Sequence, residues 1–192
     1  YYSVARTAVT AFPTNPTGGT TLTLSDDSFV LVSPPAVTTS LYGTNYSSFY
    51  VGSNGFVTFV SGDSSTAESL PQHFAFRRVA ALFDDLDPSA GGTVSWRQLA
   101  DRVAVTWLNV PEYAVTNQNS FQIELYFDGR ITITCLGIAA TDGLIGLSRG
   151  LGTPAGFVES NFSSYGSGGS GATPTLALSL PASTTEGAGV LS

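Results

Sequence analysis

The sequence predicts an all-β fold, an antiparallel two-sheet β-sandwich, and three observations carry that prediction. Short runs of Val, Ile, Thr, Phe, Tyr and Trp alternate with polar residues and are punctuated by turn signals about every 8–12 residues. Two hairpins demand the same glycine-dependent loop. No stretch shows helical periodicity. The composition agrees: hydrophobics at 42% and aromatics at 11% of 192 residues suit one packed domain. Charged residues are only 11%, well under the usual quarter or so, so Ser, Thr, Asn, Gln and Gly must carry the surface. All seven basic residues are Arg, and the net charge is -7. A nucleic-acid partner is therefore excluded, since phosphate neutralisation needs a basic face. No apolar run approaches the roughly 18 residues of a membrane span, and no signal-peptide pattern remains. The chain has no Met and reads as a mature or excised segment of a longer secreted or cell-surface protein.

In chain order, residues 1–40 break into short Val/Thr/Leu runs at Pro13, Pro16, Gly18-Gly19 and Pro34-Pro35. This predicts two or three short strands, with the prolines favouring sheet edges. Within them, TLTLSDDSFVLV reads as a strand pair bent at residues 25–27. Register arithmetic then sharpens the next elements, because directly opposed residues of an antiparallel pair share a face. In FYVGSNGFVTF a two-residue Asn-Gly loop would oppose Val51 to Thr58. A three-residue loop of Ser53, Asn54 and Gly55 instead opposes Val51 to Val57 and Phe49 to Phe59. Gly55 is then the left-handed residue of a type I turn with a bulge. The irregular loop SGDSSTAESLPQHFAFRR follows and carries no convincing helix. The apolar strand VAALFDDLDP ends in three carboxylates.

In TVSWRQLADRVAVTWLNV, a short loop at Ala100-Asp101 opposes Trp96 to Val105 and Val94 to Trp107, so both tryptophans face the core. FQIELYFDGRITITC repeats the bulge logic. A loop of Phe127, Asp128 and Gly129 opposes Leu125 to Ile131, Ile123 to Ile133 and Phe121 to Cys135. Cys135, the only cysteine, is thereby a small core residue. GLIGLSRGLG adds a further strand and turn.

The character changes at Ser163. The expected organisation is a sandwich domain over 1–162, a Gly/Ser-rich linker over 163–174 and a linker-borne C-terminal strand within 175–192. There Leu176, Leu178 and Leu180 alternate with small or polar residues, and a lone strand with one apolar face is unstable in water. It either opens a following module or adds to a sheet edge, of this domain or of a neighbouring copy.

The chemical candidates are few. Alternation puts Asp85 and Asp87 on the face of Val79, Ala81 and Phe83, with Asp84 opposite. Asp84, Asp85 and Asp87 either accept backbone hydrogen bonds in the turn to Pro88, pair with Arg77, Arg78 or Arg97, or hold calcium through hard oxygen ligands. Their spacing matches no calcium-loop pattern. His73 is the single histidine, no G-x-S-x-G elbow exists, and one His with one Cys cannot build a zinc site. The expectation is a non-enzymatic module that requires no cofactor, calcium being the compatible one. Asn45 and Asn161 begin N-x-S sequons and are glycosylation candidates. Tyr42, Tyr46 and Tyr50 are free to stack on glycans.

The runs LYGTNYSSFYVGSNGFVTF, RVAALFDDLDPSAGGTVSWRQLADRVAVTWLNVPEY, NSFQIELYFDGRITI and GLIGLSRG, covering roughly residues 20 to 150, resemble a β-rich module of large secreted bacterial proteins. Such modules neighbour subtilisin-like proteases, cadherin-like or Calx-β-like repeats and cell-surface sorting regions. The same runs are similar, more distantly, to the extracellular domain of nidogen in the aromatic-rich strand, the NGF turn and the FDDLDP strand end. The tail from about Pro174 resembles the first strand of a Calx-β-like repeat. The resemblance implies an extracellular setting and a β-sandwich without an active site. The expected function is a structural or adhesive module, the repeating unit of a surface fibre joined by strand addition. Its partners are then copies of itself or adjacent modules, with glycans as a further class. The alternative is a carbohydrate- or calcium-binding accessory module of a secreted enzyme.

Overall fold

The computed structural model describes residues 2–160, 175–180 and 189–191, the last two stretches as backbone only. The strands are β1 (Ser3–Ala8), β2 (Thr20–Leu22), β3 (Phe29–Val32), β4 (Thr39–Leu41), β5 (Thr44–Tyr46), β6 (Phe49–Gly52) and β7 (Phe56–Phe59). A short helix, α1 (Leu70–Ala75), precedes β8 (Arg77–Phe83), β9 (Thr93–Gln98), β10 (Arg102–Val110), β11 (Asn119–Tyr126), β12 (Ile131–Gly137) and β13 (Leu144–Arg149). β14 (Thr175–Leu180) and β15 (Gly189–Leu191) complete the strands. They form a seven-stranded sheet in the order β1-β14-β12-β11-β10-β9-β2 and a six-stranded sheet in the order β15-β13-β8-β7-β6-β3, with β4 and β5 as a separate pair. The two large sheets form the predicted β-sandwich. Pairing is antiparallel except at β14 and β15, which run parallel to their neighbours.

The three hairpin registers are those the apolar pattern requires. Val51 opposes Val57, Trp96 opposes Val105 and Val94 opposes Trp107, and Leu125, Ile123 and Phe121 oppose Ile131, Ile133 and Cys135. Gly55 and Gly129 sit at φ +78° and +90°, a region that costs other residues strain. The inner faces of the sheets share one core, in which Trp107, Phe121, Ile123, Phe49, Val57 and Val79 are fully buried. Trp107 stacks on Phe121 at 5.1 Å and donates across the sandwich to the Gly52 carbonyl at 3.2 Å. At about 25 cal/mol per Å2, each of these two rings contributes about 4–6 kcal/mol of burial. Cys135 is buried in this core, and burial pushes its thiol up to about 12.

Three details differ from the sequence expectation. The runs TLTL and FVLV do not pair with each other. β2 joins β9 in one sheet and β3 joins β6 in the other, so the bend at 25–28 crosses between sheets. A helix is present in the irregular loop. Ser69 caps it by accepting from the Gln72 amide, and Pro71 stands in its first turn, both ordinary start signals that a six-residue helix leaves without periodicity. Third, Phe83 does not share a face with Val79 and Ala81. One extra residue on β8 relative to β13 forms a bulge, and the Ala81 and Leu82 amides both donate to the Gly55 carbonyl. Phe83 is thereby turned outward onto Phe56 and Ala80. Gln122 and Glu124 on the outer face of β11 are also buried. The strap through Thr14 covers them: Thr14 Oγ1 donates to Glu124 Oε1, Gln122 Nε2 donates to the Thr14 carbonyl, and Arg102 Nε donates to Glu124 at 2.8 Å.

Candidate functional site

One end of the sandwich brings together Asp26, Asp27, Asp84, Asp85, Glu112 and Asp142, and its anchor is the first hairpin loop. Asn54 is fully buried. Its side-chain amide donates to Asp27 Oδ1 and to the Ser65 carbonyl, both at 3.0 Å. Its carbonyl oxygen accepts from the Leu86 amide and the Ser53 hydroxyl, both at 3.1 Å. Ser53 in turn exchanges hydrogen bonds with the Ser28 backbone. The loop at 25–28, the loop at 63–65 and the end of β8 are therefore tied to one turn. The strand end continues into pairing with the segment after β10, through a Leu86–Glu112 bridge and the Asp87 amide on the Pro111 carbonyl.

This scaffold sorts the three aspartates of FDDLDP into different roles. Asp87 caps the following turn: its Oδ1 accepts from the Ser89 and Ala90 amides and the Ser89 hydroxyl. Asp85 belongs with Asp26 and Asp27, whose carboxylate oxygens lie within 4.8 Å of one another. Asp84, Glu112 and Asp142 form a second such group. None of Asp84, Asp85 and Asp87, nor their neighbours Asp26 and Asp27, takes Arg77, Arg78 or Arg97 as a partner among the described ion pairs; Arg78 is held by Asp63 instead.

The charged neighbours that act on Asp26, Asp84 and Asp85 are other carboxylates. Burial, then Glu112, Asp142 and Glu68, pushes Asp84 up to about 6, against the hydrogen bond from the Asp85 amide. Burial first and neighbouring aspartates next also raise Asp26 and Asp85. Such crowding can be relieved by protonation or by a hard cation with oxygen ligands. The convergence of Glu112 and Asp142 on Asp84 was not legible in the sequence, because it depends on long-range pairing.

On the other face of β8, the Arg78 guanidinium lies 4.2 Å from the Phe56 ring centre and 4.3 Å from that of Phe83. Burial lowers Arg78 to about 10, opposed by Asp63, so it stays charged at neutral pH. His73 is fully buried against Phe74. Burial and Arg78 lower it to about 3, against the Leu147 backbone, so this imidazole packs as a neutral ring. Tyr42 and Tyr46 line an open cleft of about 150 Å3 with Arg77, Arg149 and Leu151. Arg77 donates to the Tyr46 hydroxyl at 2.8 Å. Tyr50 packs edge-on against Phe29 instead. Asn45 is exposed on β5, while Asn161 and the 163–174 stretch lie outside the described residues.

The backbone of 175–180, which carries Leu176, Leu178 and Leu180, lies in this chain's own sheet. β14 runs parallel to β1 on one side, with Leu176 opposite Val4, and parallel to β12 on the other, with Leu178 opposite Ile133. Of the placements open from sequence, the strand takes one within its own domain. A parallel pairing needs a crossover of a dozen or more residues, and the interval from Gly137 to Thr175 supplies it.

No helix among the described residues is long and apolar enough to cross a membrane. No curated protein and no solved structure matches the chain. The family described as NIDO related matches residues 1–188, a span that includes β14 as well as the hairpins and the acidic end. Domains of this type are extracellular, β-rich and non-catalytic. The nidogen-like resemblance of the hairpins and the FDDLDP strand end is thus supported over nearly the whole sequence, and the chain belongs to the NIDO-related family.

Proposed function

We propose that the chain is a structural or adhesive module whose copies join into a surface fibre by exchanging the strand at 175–180. The observation that carries this reading is the position of β14. It is an inner strand, with β1 and β12 on its two edges, yet it is reached only after a Gly/Ser-rich stretch in the sequence. A strand tethered in this way closes the sheet equally well from its own chain or from a neighbour, because the ladder consists of backbone hydrogen bonds. Exchange would make each copy complete only through the next, and a head-to-tail contact that does not close gives a filament.

Thr132 and Ala177 are register partners across β12 and β14, so the double variant Thr132→Cys, Ala177→Cys reports which chain supplies the strand. After oxidation, the expected non-reducing gel shows a ladder of covalent multimers that grows with the concentration at which the protein was refolded. Cross-linked monomer alone, at every concentration, overturns strand exchange.

A further inference from the structure

We infer that Asp84, Glu112 and Asp142 form a binding site for a single calcium ion that pins three separate segments at the acidic end of the sandwich. Asp84 follows β8, Glu112 follows β10, and Asp142 lies in the loop before β13. Each offers one carboxylate oxygen within 4.8 Å of the other two. Opposed ligands on calcium, at bond lengths of 2.3–2.6 Å, stand about 4.6–5.2 Å apart, so the three oxygens fit around one ion with water completing its shell.

A group of acids alone would not support a site. The second observation is Asp84 itself, which is 4% exposed and keeps its Oδ2 buried without a hydrogen-bond partner. Its Oδ1 is already used, accepting from the Asp85 amide at 2.8 Å. Glu112 is held in place as well: its Oε2 accepts from the Asn117 side chain, and Asn117 Oδ1 accepts from the Glu112 amide at 2.9 Å. An orphaned, buried carboxylate oxygen facing two further carboxylates lacks a positive partner, and a cation supplies one.

The companion group is less suited. Asp26 Oδ1 and Asp85 Oδ1 also lack partners, but Asp26, Asp27 and Asp85 are each only half-buried, and Asp27 Oδ1 is already committed to Asn54. Calcium accepts irregular sets of six to eight oxygens, whereas magnesium demands a near-octahedral shell and gives up its water reluctantly. The irregular, loop-borne set therefore selects calcium, and affinities of about 10⁻⁴–10⁻³ M are usual for extracellular modules. The inference is independent of strand exchange, since every ligand comes from one chain and is read on the monomer.

Calorimetric titration of the full chain, freed of metal, tests the site. The expected result is one calcium bound per chain, with magnesium at least tenfold weaker. Asp142→Asn, an exposed position whose folding is not at stake, should weaken calcium at least tenfold. Asp84→Asn, verified as folded by circular dichroism, should abolish binding. Asp26→Asn should bind like the wild type. No calcium binding up to about 10 mM, well above the usual range, overturns the site. Unchanged binding in Asp142→Asn does so too, as does loss of binding in Asp26→Asn, which would move the ion to the other group.

Discussion

At the scale of single residues, Asp84 gives the sharpest consequence, because its environment is set by burial and other acids. Its folded-state pKa is raised to about 6 from an ordinary 3.8. Between those values the folded chain holds a proton that the unfolded chain has released, so this group's contribution to stability falls as pH rises through the window. At pH 7, without metal, the ionised carboxylate destabilises the fold by at most about 3 kcal/mol. Asp84→Asn in chelator should therefore melt higher than the wild type at pH 7, with the advantage shrinking to nothing near pH 4. Thermal melts across that range check it, and a constant difference at all pH values refutes the assignment. His73 works in the opposite sense. Its pKa is lowered to about 3 from 6.5, so stability falls as pH drops below about 6.5 while the unfolded chain takes up a proton. The comparison between variant and wild type cancels that contribution.

At the scale of elements, legibility followed sequence distance. The three hairpins could be registered from the pattern alone, since a short loop leaves few pairings and only one matches apolar to apolar. What the pattern missed was created by contacts between distant segments. The bulge on β8 answers to Gly55, whose carbonyl receives two amides, and neither VAALF nor its neighbours announce it. Nothing local in FQIELYF shows that Thr14 covers Gln122 and Glu124. The helix at 70–75 lay below the length at which periodicity is visible, though SLPQ held its cap. The close approach at Gly55 yields a contrast between two turns of the same type. A Cβ on Gly55 would stand 1.7 Å from the Leu82 carbonyl oxygen, a backbone atom that cannot rotate away. Gly55→Ala should cost on the order of 3 kcal/mol or more, combining left-handed strain with displacement of the bulge, while Gly129→Ala carries a left-handed strain of about 1 kcal/mol. Urea unfolding measures both, and equal losses would remove the bulge from the explanation.

At the scale of the whole molecule, the sheet that holds β14 depends on a segment far from its neighbours in sequence. The Leu176, Leu178 and Leu180 alternation shows that the strand needs a sheet, yet does not choose which one. Parallel pairing leaves no hairpin loop and no short-range register to count, and this is why the choice was invisible. The position makes a strong demand, because β14 is the pairing partner of β1 and the cover for one edge of β12. An inner strand uses its amides on both edges, so a proline there removes a ladder bond and crowds the backbone. Leu178→Pro should cost at least about 1–3 kcal/mol, the penalty of leaving a buried backbone acceptor unpaired. The loss should be confined: amide hydrogen exchange should rise in residues 3–8 and 131–137, while β8 and β13 in the opposite sheet keep their protection. Unchanged exchange in residues 3–8 would show that β1 does not rely on this strand. Protection in the variant that returns on adding an excess of unlabelled wild-type chain would mean that the strand is supplied between copies, which joins the stability of one module to the assembly of many.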